Sequence, residues 1–289
     1  LHYPLRRQRQ MCIRDSFMAK GYPLTYITST VCKVMAINRP SSAEGRIIKE
    51  VEKVKKDLGL YKVDRFLFYS PDAIGRKQVL LFPEEFNKIR KITPVEVNME
   101  SVYPPKTPVC YATMLTGTLP EVHGIKVYEK KLVNTLSLFD SLVRYRMATQ
   151  IASIAIEGSS MDVLFRNRYI QYFTEKYDKE VNDRAIELIN NKQFEFIFVY
   201  NQEYDDTLHK SGITSTQSVN AMKNHIHSFL ELVQECEKNW SEFNRAYLFA
   251  PDHGAHDFKN TGTGTHGDNI PDDMELIHFW GIYKGEEKE

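Results

Sequence analysis

The sequence predicts an α/β fold: a mostly parallel sheet sandwiched by helices. Short apolar runs of strand length alternate along the chain with stretches of helical periodicity. Apolar strands separated by helices are typical of a parallel sheet that is buried on both faces. The chain has 289 residues, of which 42% are hydrophobic and 26% charged. This length and composition indicate a globular protein with one large domain or two small ones.

The elements follow in chain order. Apolar residues over 47–58 recur at helical spacing, and the apolar run 65–70 that follows predicts a strand. Pro108 is suited to the first position of a helix over 109–115. The later predicted elements are a helix over 136–144, a strand over 150–156, a helix over 178–190, a strand over 194–200, a long helix with its apolar face over 219–233, and strands over 247–250 and 276–283.

Composition excludes several classes of partner. Lys plus Arg and Asp plus Glu both number 38, so the net charge is zero and we expect no nucleic-acid polymer or membrane surface as a partner. No apolar run reaches the roughly 18 residues of a membrane span. The four cysteines are scattered without a CxxC motif, which is typical of reduced thiols. Because the N-terminal sequence shows no signal peptide, we expect a cytoplasmic protein.

The two ends of the chain look unusual. Residues 1–16 show no usable periodicity and no apolar signal region, and residues 11–16 resemble translated adapter sequence. We therefore expect residues 1–16 to be a non-native leader, and residues 17–289 to form a single catalytic domain. The chain stops soon after the last predicted strand, so we expect a C-terminal helix to be missing.

Three predicted strands lead directly into acids and imidazoles. Carboxyl ends of parallel strands meet at one edge of a sheet, so we expect these side chains to converge in one crevice. Oxygen and nitrogen ligands suit Zn, Mn or Fe better than Ca, and the set is too large for one tetrahedral zinc with an open position. Two metals sharing the set is the natural count. The candidates are Asp72, Glu203, Asp205, Asp206, His209, Asp252, His253 and, on a Gly/Thr-rich loop, His266.

Thr107 lies next to the predicted start of the helix over 109–115. A hydroxyl at a helix start lies near free backbone N–H groups and the positive end of the helix dipole. If its oxygen also binds a metal ion, the hydroxyl can lose its proton and attack phosphorus. The simpler interpretation is a helix N-cap, which the local sequence favours. Cys110 is the alternative candidate for the nucleophile, because a position near a helix start lowers the pKa of a thiol.

Three blocks of sequence, together with Asp72, resemble the alkaline phosphatase superfamily, specifically its type I phosphodiesterase/nucleotide pyrophosphatase branch. Individually the blocks are weak signals, but their order along residues 65–283 makes the resemblance specific. The blocks are Lys106-Thr107 with Thr116-Gly117 and Pro120–Gly124, then Glu203–Gly212, and then Asp252–Gly254 with Thr265–Asn269.

The resemblance implies an alkaline phosphatase-like fold, two divalent metal ions and a role for each matching residue. Zn is the expected metal, with Mn as the alternative. Thr107 would attack a small-molecule phosphodiester or nucleotide pyrophosphate-type substrate, and water would hydrolyse the resulting threonine ester. Asp205, His209 and His266 would hold one metal, and Asp72, Asp252 and His253 the other.

The chain departs from the family pattern beside the nucleophile. Cys110 replaces an asparagine that contacts phosphate in the family, and a thiol is a weaker donor. Lys106 could attract an anionic substrate, although a solvated lysine is equally plausible. The rival enzymes on this fold are a phosphomonoesterase, a phosphonate hydrolase and a phosphomutase. A sulfatase is disfavoured because the formylglycine context is absent, and a catalytically silent phospho-ligand-binding module is the rival of another class.

The other histidines have simpler interpretations than catalysis. For His123 we expect a structural turn hydrogen bond, and for His225 and His227 a solvated or satisfied position on the long helix. His278 is expected to pack inside a strand. His256 could reach the site, but a role in loop structure is favoured.

Overall fold

An eight-stranded sheet with helices on both faces organises the protein, as seen in a computed structural model that describes residues 21–259 and 261–286. The prediction for residues 1–16 lies outside the described residues. In chain order the strands are β1 (Tyr22–Pro23), β2 (Arg65–Pro71), β3 (Val95–Glu100), β4 (Ile151–Ile156), β5 (Gln171–Glu175), β6 (Phe196–Asn201), β7 (Arg245–Phe249), β8 (His256–Phe258), β9 (Thr263–Thr265) and β10 (Glu275–Tyr283).

The helices of the described residues lie, singly or in groups, in the connections between these strands. They are α1 (Tyr26–Val34), α2 (Lys49–Asp57), α3 (Arg76–Leu81), α4 (Pro83–Ile92), α5 (Thr107–Thr116), α6 (Pro120–His123), α7 (Leu138–Tyr145), α8 (Ser160–Leu164), α9 (Asp178–Asn190), α10 (Glu203–Ser211), α11 (Thr216–Trp240) and α12 (Pro271–Met274), with a 3-10 turn at Ala148–Gln150. In this part of the chain, no helix is both long and apolar enough to cross a membrane.

The strand order in the sheet is β1-β3-β10-β7-β2-β6-β4-β5. All neighbours are parallel except β10, which runs antiparallel to both β3 and β7. For β10 to run parallel to β7, the chain would first have to cross back to the edge of the sheet where β7 begins. The chain between β7 and β10 instead carries the small β8–β9 ribbon and α12, and β10 starts back from the edge where β7 ends. The predicted mostly parallel α/β sheet is confirmed, and β10 is its reversed strand.

Both faces of the sheet are buried, which explains the continuous apolar strands. Along β2, Phe66 and Phe68 pack into one core cluster, whereas Leu67 and Tyr69 pack into the other, since successive side chains point to opposite faces. All four are fully buried. Burying a large apolar side chain contributes about 1.5–3 kcal/mol, so the central strands are strongly held in register.

Candidate metal centre and nucleophile

The first cluster of candidate metal ligands consists of Asp72, Asp252 and His253. Asp72 follows β2, and the other two follow β7, its parallel neighbour, so both strand ends deliver their side chains to one point. One donor atom from each of the three residues lies within 4.8 Å of the others, and all three residues are buried. This is the grouping that the resemblance implied.

The second cluster consists of Asp205, His209 and His266. Helix α10 follows β6 and presents Asp205 and His209 on one face, because they are four residues apart. His266 reaches them from the loop after β9, and donor atoms of the three again lie within 4.8 Å of one another. Asp206, the neighbouring candidate, lies outside both clusters.

The three imidazoles are oriented alike by the backbone. In each, Nδ1 lies within hydrogen-bond distance of a carbonyl oxygen, and a carbonyl can only accept, so Nδ1 carries the proton. Each Nε2 therefore presents a lone pair to its cluster, as a metal-binding histidine does. The pairs are His209 with Gly264 (3.0 Å), His253 with Gly254 (3.0 Å) and His266 with Pro105 (2.9 Å).

One oxygen of each aspartate is buried and has no hydrogen-bond partner: Oδ1 of Asp72, Oδ1 of Asp205 and Oδ2 of Asp252. These are the oxygens that face the Nε2 atoms. His253 Nε2 lies 3.3 Å from Asp72 Oδ1 and 3.4 Å from Asp252 Oδ2. Asp205 Oδ1 lies 3.4 Å from Nε2 of His209 and 3.5 Å from Nε2 of His266.

These spacings fit a shared cation in each cluster. Ligands about 2.0–2.1 Å from a tetrahedral zinc stand about 3.3 Å from one another. Orphaned buried carboxylate oxygens are costly unless a cation or donor satisfies them. The donor set and its geometry therefore fit a divalent metal in each cluster, with zinc well suited to the mixture of nitrogen and oxygen.

The opposite oxygens of the first cluster are anchored by the protein. The Tyr200 hydroxyl donates to Asp72 Oδ2 at 2.5 Å, and the Ala73 N–H donates to Asp252 Oδ1 at 3.3 Å. Each carboxylate is thus turned so that its free oxygen faces His253. Tyr200 was not among the sequence-predicted site residues, and its position on a buried strand gives no local signal of this contact.

Electrostatics also call for positive charge in the first cluster. Burial, together with the neighbouring carboxylates of Asp252 and Asp205, raises the pKa of Asp72 well above its usual range. Burial raises the pKa of Asp252 to about 8. Burial and the nearby His266 lower the pKa of His253 well below its usual range, so this imidazole is neutral. Carboxylates packed this closely are stabilised in their ionised form by bound cations.

Charges are better balanced in the second cluster. Although burial opposes it, the contact with His209 and the neighbouring imidazoles hold the pKa of Asp205 below its usual value. The contact with Asp205 in turn raises the pKa of His209. The two clusters adjoin one another, since the His253 and His266 rings stack with centroids 4.0 Å apart.

Thr107 is the first residue of α5, and Lys106 occupies the N-cap position. Because Thr107 is already helical and Lys106 precedes it as the N-cap, the interpretation of Thr107 as the N-cap is wrong. Its hydroxyl is instead buried and lies 3.2 Å from Nε2 of His253, against the first cluster. A hydroxyl in this place can contact a cation held by the cluster.

Lys106 and Cys110 are more enclosed than the sequence suggested. The Lys106 ammonium donates to the His266 carbonyl at 2.7 Å. Cys110 is fully buried, with its sulfur 3.3 Å from the Ser101 hydroxyl. Burial and the charge of Asp252 raise the pKa of the Cys110 thiol well above its usual value, which disfavours it as a nucleophile. The predicted contacts of both residues with substrate stay predictions.

The N-terminus of α10 is held by side chains that sequence reasoning did not connect to the site. The Gln202 and Glu203 N–H groups donate to the two carboxylate oxygens of Asp178, at 3.0 and 2.8 Å. The Tyr204 N–H donates to Nε2 of His225 at 3.1 Å. Burial raises the pKa of Asp178 to about 7 and lowers that of His225 to about 3. No local signal links these residues to α10, because the contacts are tertiary.

Three further histidines, His123, His256 and His278, make hydrogen bonds within the fold. His123 faces the Thr113 hydroxyl at 3.0 Å, and His278 faces the Pro251 carbonyl at 2.7 Å. His256 begins β8, and its Nδ1 lies 2.7 Å from Oδ1 of Asp273.

Comparison with known proteins gives a family match for one segment and a fold match for most of the chain. Residues 79–135, which include Thr107, match the sequence model described as type I phosphodiesterase/nucleotide pyrophosphatase. Among curated protein sequences, none matches the chain.

Several solved structures share the fold. Murine ectonucleotide pyrophosphatase/phosphodiesterase 5 is 19% identical with a TM-score of 0.54, over 68% of this chain and 59% of that one. The human counterpart is 20% identical with a TM-score of 0.53, over 66% and 57% of the two chains. A Vibrio parahaemolyticus protein of the alkaline phosphatase superfamily is 13% identical with a TM-score of 0.53, over 91% and 68%. The match thus spans 59% of the murine protein's length.

The chain therefore has the fold of the alkaline phosphatase superfamily, and its residues 79–135 match the type I phosphodiesterase/nucleotide pyrophosphatase family, which confirms the resemblance inferred from the sequence.

Proposed function

We propose that the protein is a two-metal hydrolase that cleaves small phosphodiesters or nucleotide pyrophosphate-type bonds with Thr107 as its nucleophile. The observation that carries the proposal is the Thr107 hydroxyl, which lies 3.2 Å from His253 Nε2 at the edge of a buried three-ligand cluster. A threonine that only capped the helix would not need this contact with His253. Residues 17–289 are proposed to form the catalytic domain.

The metals would be held by the two clusters, with Asp72, Asp252 and His253 beside the nucleophile. Two divalent cations, zinc or alternatively manganese, would lower the pKa of a coordinated hydroxyl and neutralise charge on the phosphoryl oxygens. The chain's own part is to place the Thr107 oxygen for in-line attack on phosphorus. The P–O bond to the leaving group breaks as the Thr107–phosphorus bond forms. Water then cleaves the threonine ester and restores the hydroxyl.

The helix start adds to the site. Thr107 and Val109 are first-turn residues of α5 whose backbone N–H groups have no intrahelical acceptor, and Pro108 between them has no N–H. These donors and the positive end of the helix favour an anion in front of Thr107. A phosphoryl group bonded to the Thr107 oxygen would sit there.

The comparisons support this assignment. The murine structure is described as an inactive threonine-to-alanine variant in complex with AMP. A threonine on which activity depends, and a bound nucleotide, are what the proposal expects for this chain.

A hydrolysis panel tests the proposal. Aryl phosphodiesters, phosphomonoesters and phosphonates are assayed with the zinc-loaded wild type, Thr107→Ala, Thr107→Ser and Cys110→Ala. We expect diesters to be the best substrates, Thr107→Ala to lose about 10³-fold or more in kcat, and Thr107→Ser to retain much of the activity because it keeps a hydroxyl.

Two outcomes would overturn parts of the proposal. If Thr107→Ala kept full activity while Cys110→Ala lost it, the nucleophile assignment would be wrong. If monoesters turned over far better than diesters, the substrate assignment would fail and a phosphomonoesterase would stand in its place.

A further inference from the structure

A buried carboxylate, Asp273, links the two segments that follow the metal-binding histidines. Its Oδ2 accepts hydrogen bonds from the N–H groups of Gly267 at 2.8 Å and Asp268 at 2.9 Å. Its backbone carbonyl accepts the Gly254 N–H at 2.9 Å. Gly254 directly follows His253, and Gly267 directly follows His266. Asp273 is therefore hydrogen-bonded to the residue that follows a histidine of each cluster.

His256 completes the arrangement from the β8–β9 ribbon. Its Nδ1 lies 2.7 Å from Oδ1 of Asp273, and the carboxylate can only accept, so the imidazole donates. In the ribbon His256 pairs with Thr265, the residue before His266. The Asp273 side chain therefore holds the chain on both sides of His266, through the ribbon before it and through two N–H groups after it.

The backbone packs closely around Gly254, and the Lys106 side chain lies against Gly267. A Cβ on Gly254 would lie 2.0 Å from the Asp272 carbonyl oxygen, and a Cβ on Gly267 would lie 2.5 Å from the Lys106 ammonium. Gly267 also has a φ of +121°, which side-chain-bearing residues rarely adopt. In this segment Asp273 is the polar group that accepts the Gly267 and Asp268 N–H groups.

We propose that Asp273, oriented by His256, is a positioning residue that sets the location of His266 and thereby the metal affinity of the second cluster. This inference rests on the proposed two-metal function. His253 depends less on the Asp273 side chain, because Asp273 reaches its neighbour Gly254 only through a backbone carbonyl, which Asp273→Asn keeps. Loss of the Asp273 carboxylate would leave two backbone N–H groups without their acceptor and free the loop on one side of His266.

Zinc titration of the metal-free protein against a chromophoric chelator tests the proposal. Asp273→Asn is compared with Asp272→Asn, the same change at the adjacent, more exposed carboxylate that pairs with Lys77. We expect Asp273→Asn to weaken one of the two zinc-binding steps about tenfold or more, as loss of supporting contacts does at metal sites. Asp272→Asn should titrate as the wild type does.

An Asp205→Asn background shows which cluster is affected. This substitution removes a ligand of the second cluster and leaves the first to bind zinc. Adding Asp273→Asn should then leave the affinity of the first cluster unchanged within about twofold. Equal weakening of that cluster would show a general effect on folding and overturn the positioning role.

The His256 position provides a second test if Asp273→Asn does not fold. His256→Asn keeps an N–H donor near the place of Nδ1, whereas His256→Ala removes it. We expect His256→Ala to weaken zinc binding at the second cluster. His256→Asn should retain most of the wild-type zinc affinity there. Equal zinc affinities in both variants and the wild type would overturn the inference.

The two failures are distinguishable. A wild type that binds fewer than two zinc ions would refute the proposed function itself. A wild type that binds two, with Asp273→Asn titrating like Asp272→Asn, would refute only the positioning role.

Discussion

Removing the Tyr200 hydroxyl tests whether Asp72 acts as a metal ligand. Tyr200 is almost completely buried, and its hydroxyl donates to Asp72 Oδ2 at 2.5 Å, which turns Oδ1 towards His253. Tyr200→Phe keeps the ring and deletes this one donor. Asp72 is then free to rotate, and its Oδ2 loses its donor in a buried place.

The size of the effect follows from the kind of hydrogen bond. A hydrogen bond to a charged group contributes about 1.5–3 kcal/mol, and about 1.4 kcal/mol corresponds to tenfold in affinity. Zinc affinity of the first cluster should therefore fall about 10- to 100-fold in Tyr200→Phe. This range agrees with the usual effect of removing a group that orients a metal ligand.

The assay is competitive zinc titration with Tyr111→Phe as the matched control. The Tyr111 ring lies 5.3 Å from that of Tyr200, and its hydroxyl bonds to the neutral Ser70 hydroxyl at 2.9 Å. We expect Tyr111→Phe to change zinc affinity by less than about threefold. Wild-type affinity in Tyr200→Phe, or equal weakening in both variants, would refute the reasoning.

Three further predictions concern the surroundings of the site. Lys106→Met should weaken zinc binding about tenfold with little change in KM, because the ammonium holds the His266 carbonyl; a rise in KM alone would support a substrate contact instead. His225 is held neutral by burial, with its pKa lowered to about 3, so acid destabilises the fold by charging it. In urea titrations of metal-free protein, the free energy of unfolding should therefore fall by up to about 1.4 kcal/mol per pH unit below pH ~6.5 through this group. His225→Gln keeps an acceptor for the Tyr204 N–H and should lack this contribution to the pH dependence. The same pH dependence in the wild type and His225→Gln would contradict this. Gly254→Ala should lower the free energy of unfolding by about 1–3 kcal/mol in the same titrations, because its Cβ would overlap a backbone oxygen; wild-type stability would contradict the packing.

The central strands were predictable because their signal is local. The runs that became β2, β6 and β7 are buried along their whole length and apolar at most positions, as is typical of strands covered on both faces. By contrast, β3 and β5 carry charged or partly exposed residues and were not predicted. The reversed direction of β10 depends on where the chain between β7 and β10 travels, and no periodicity encodes that.

The site divides in the same way. The grouping of the acids and imidazoles into two clusters could be predicted because these residues follow buried strands, and parallel strands share an edge. Local sequence favoured Thr107 as an N-cap, yet its environment is set by His253, 146 positions later in the chain. Asp178, Tyr200 and Asp273 act through hydrogen bonds to residues distant in the chain, so a single sequence gives no indication of these partners.

Metal stoichiometry tests the central claim most directly. Protein is loaded with zinc, dialysed and measured by elemental analysis as wild type, Asp205→Asn and Asp252→Asn. The account predicts about two zinc ions per chain in the wild type and about one in each variant, because each substitution disables one cluster. About one ion or fewer per wild-type chain, or no loss in either variant, would contradict it.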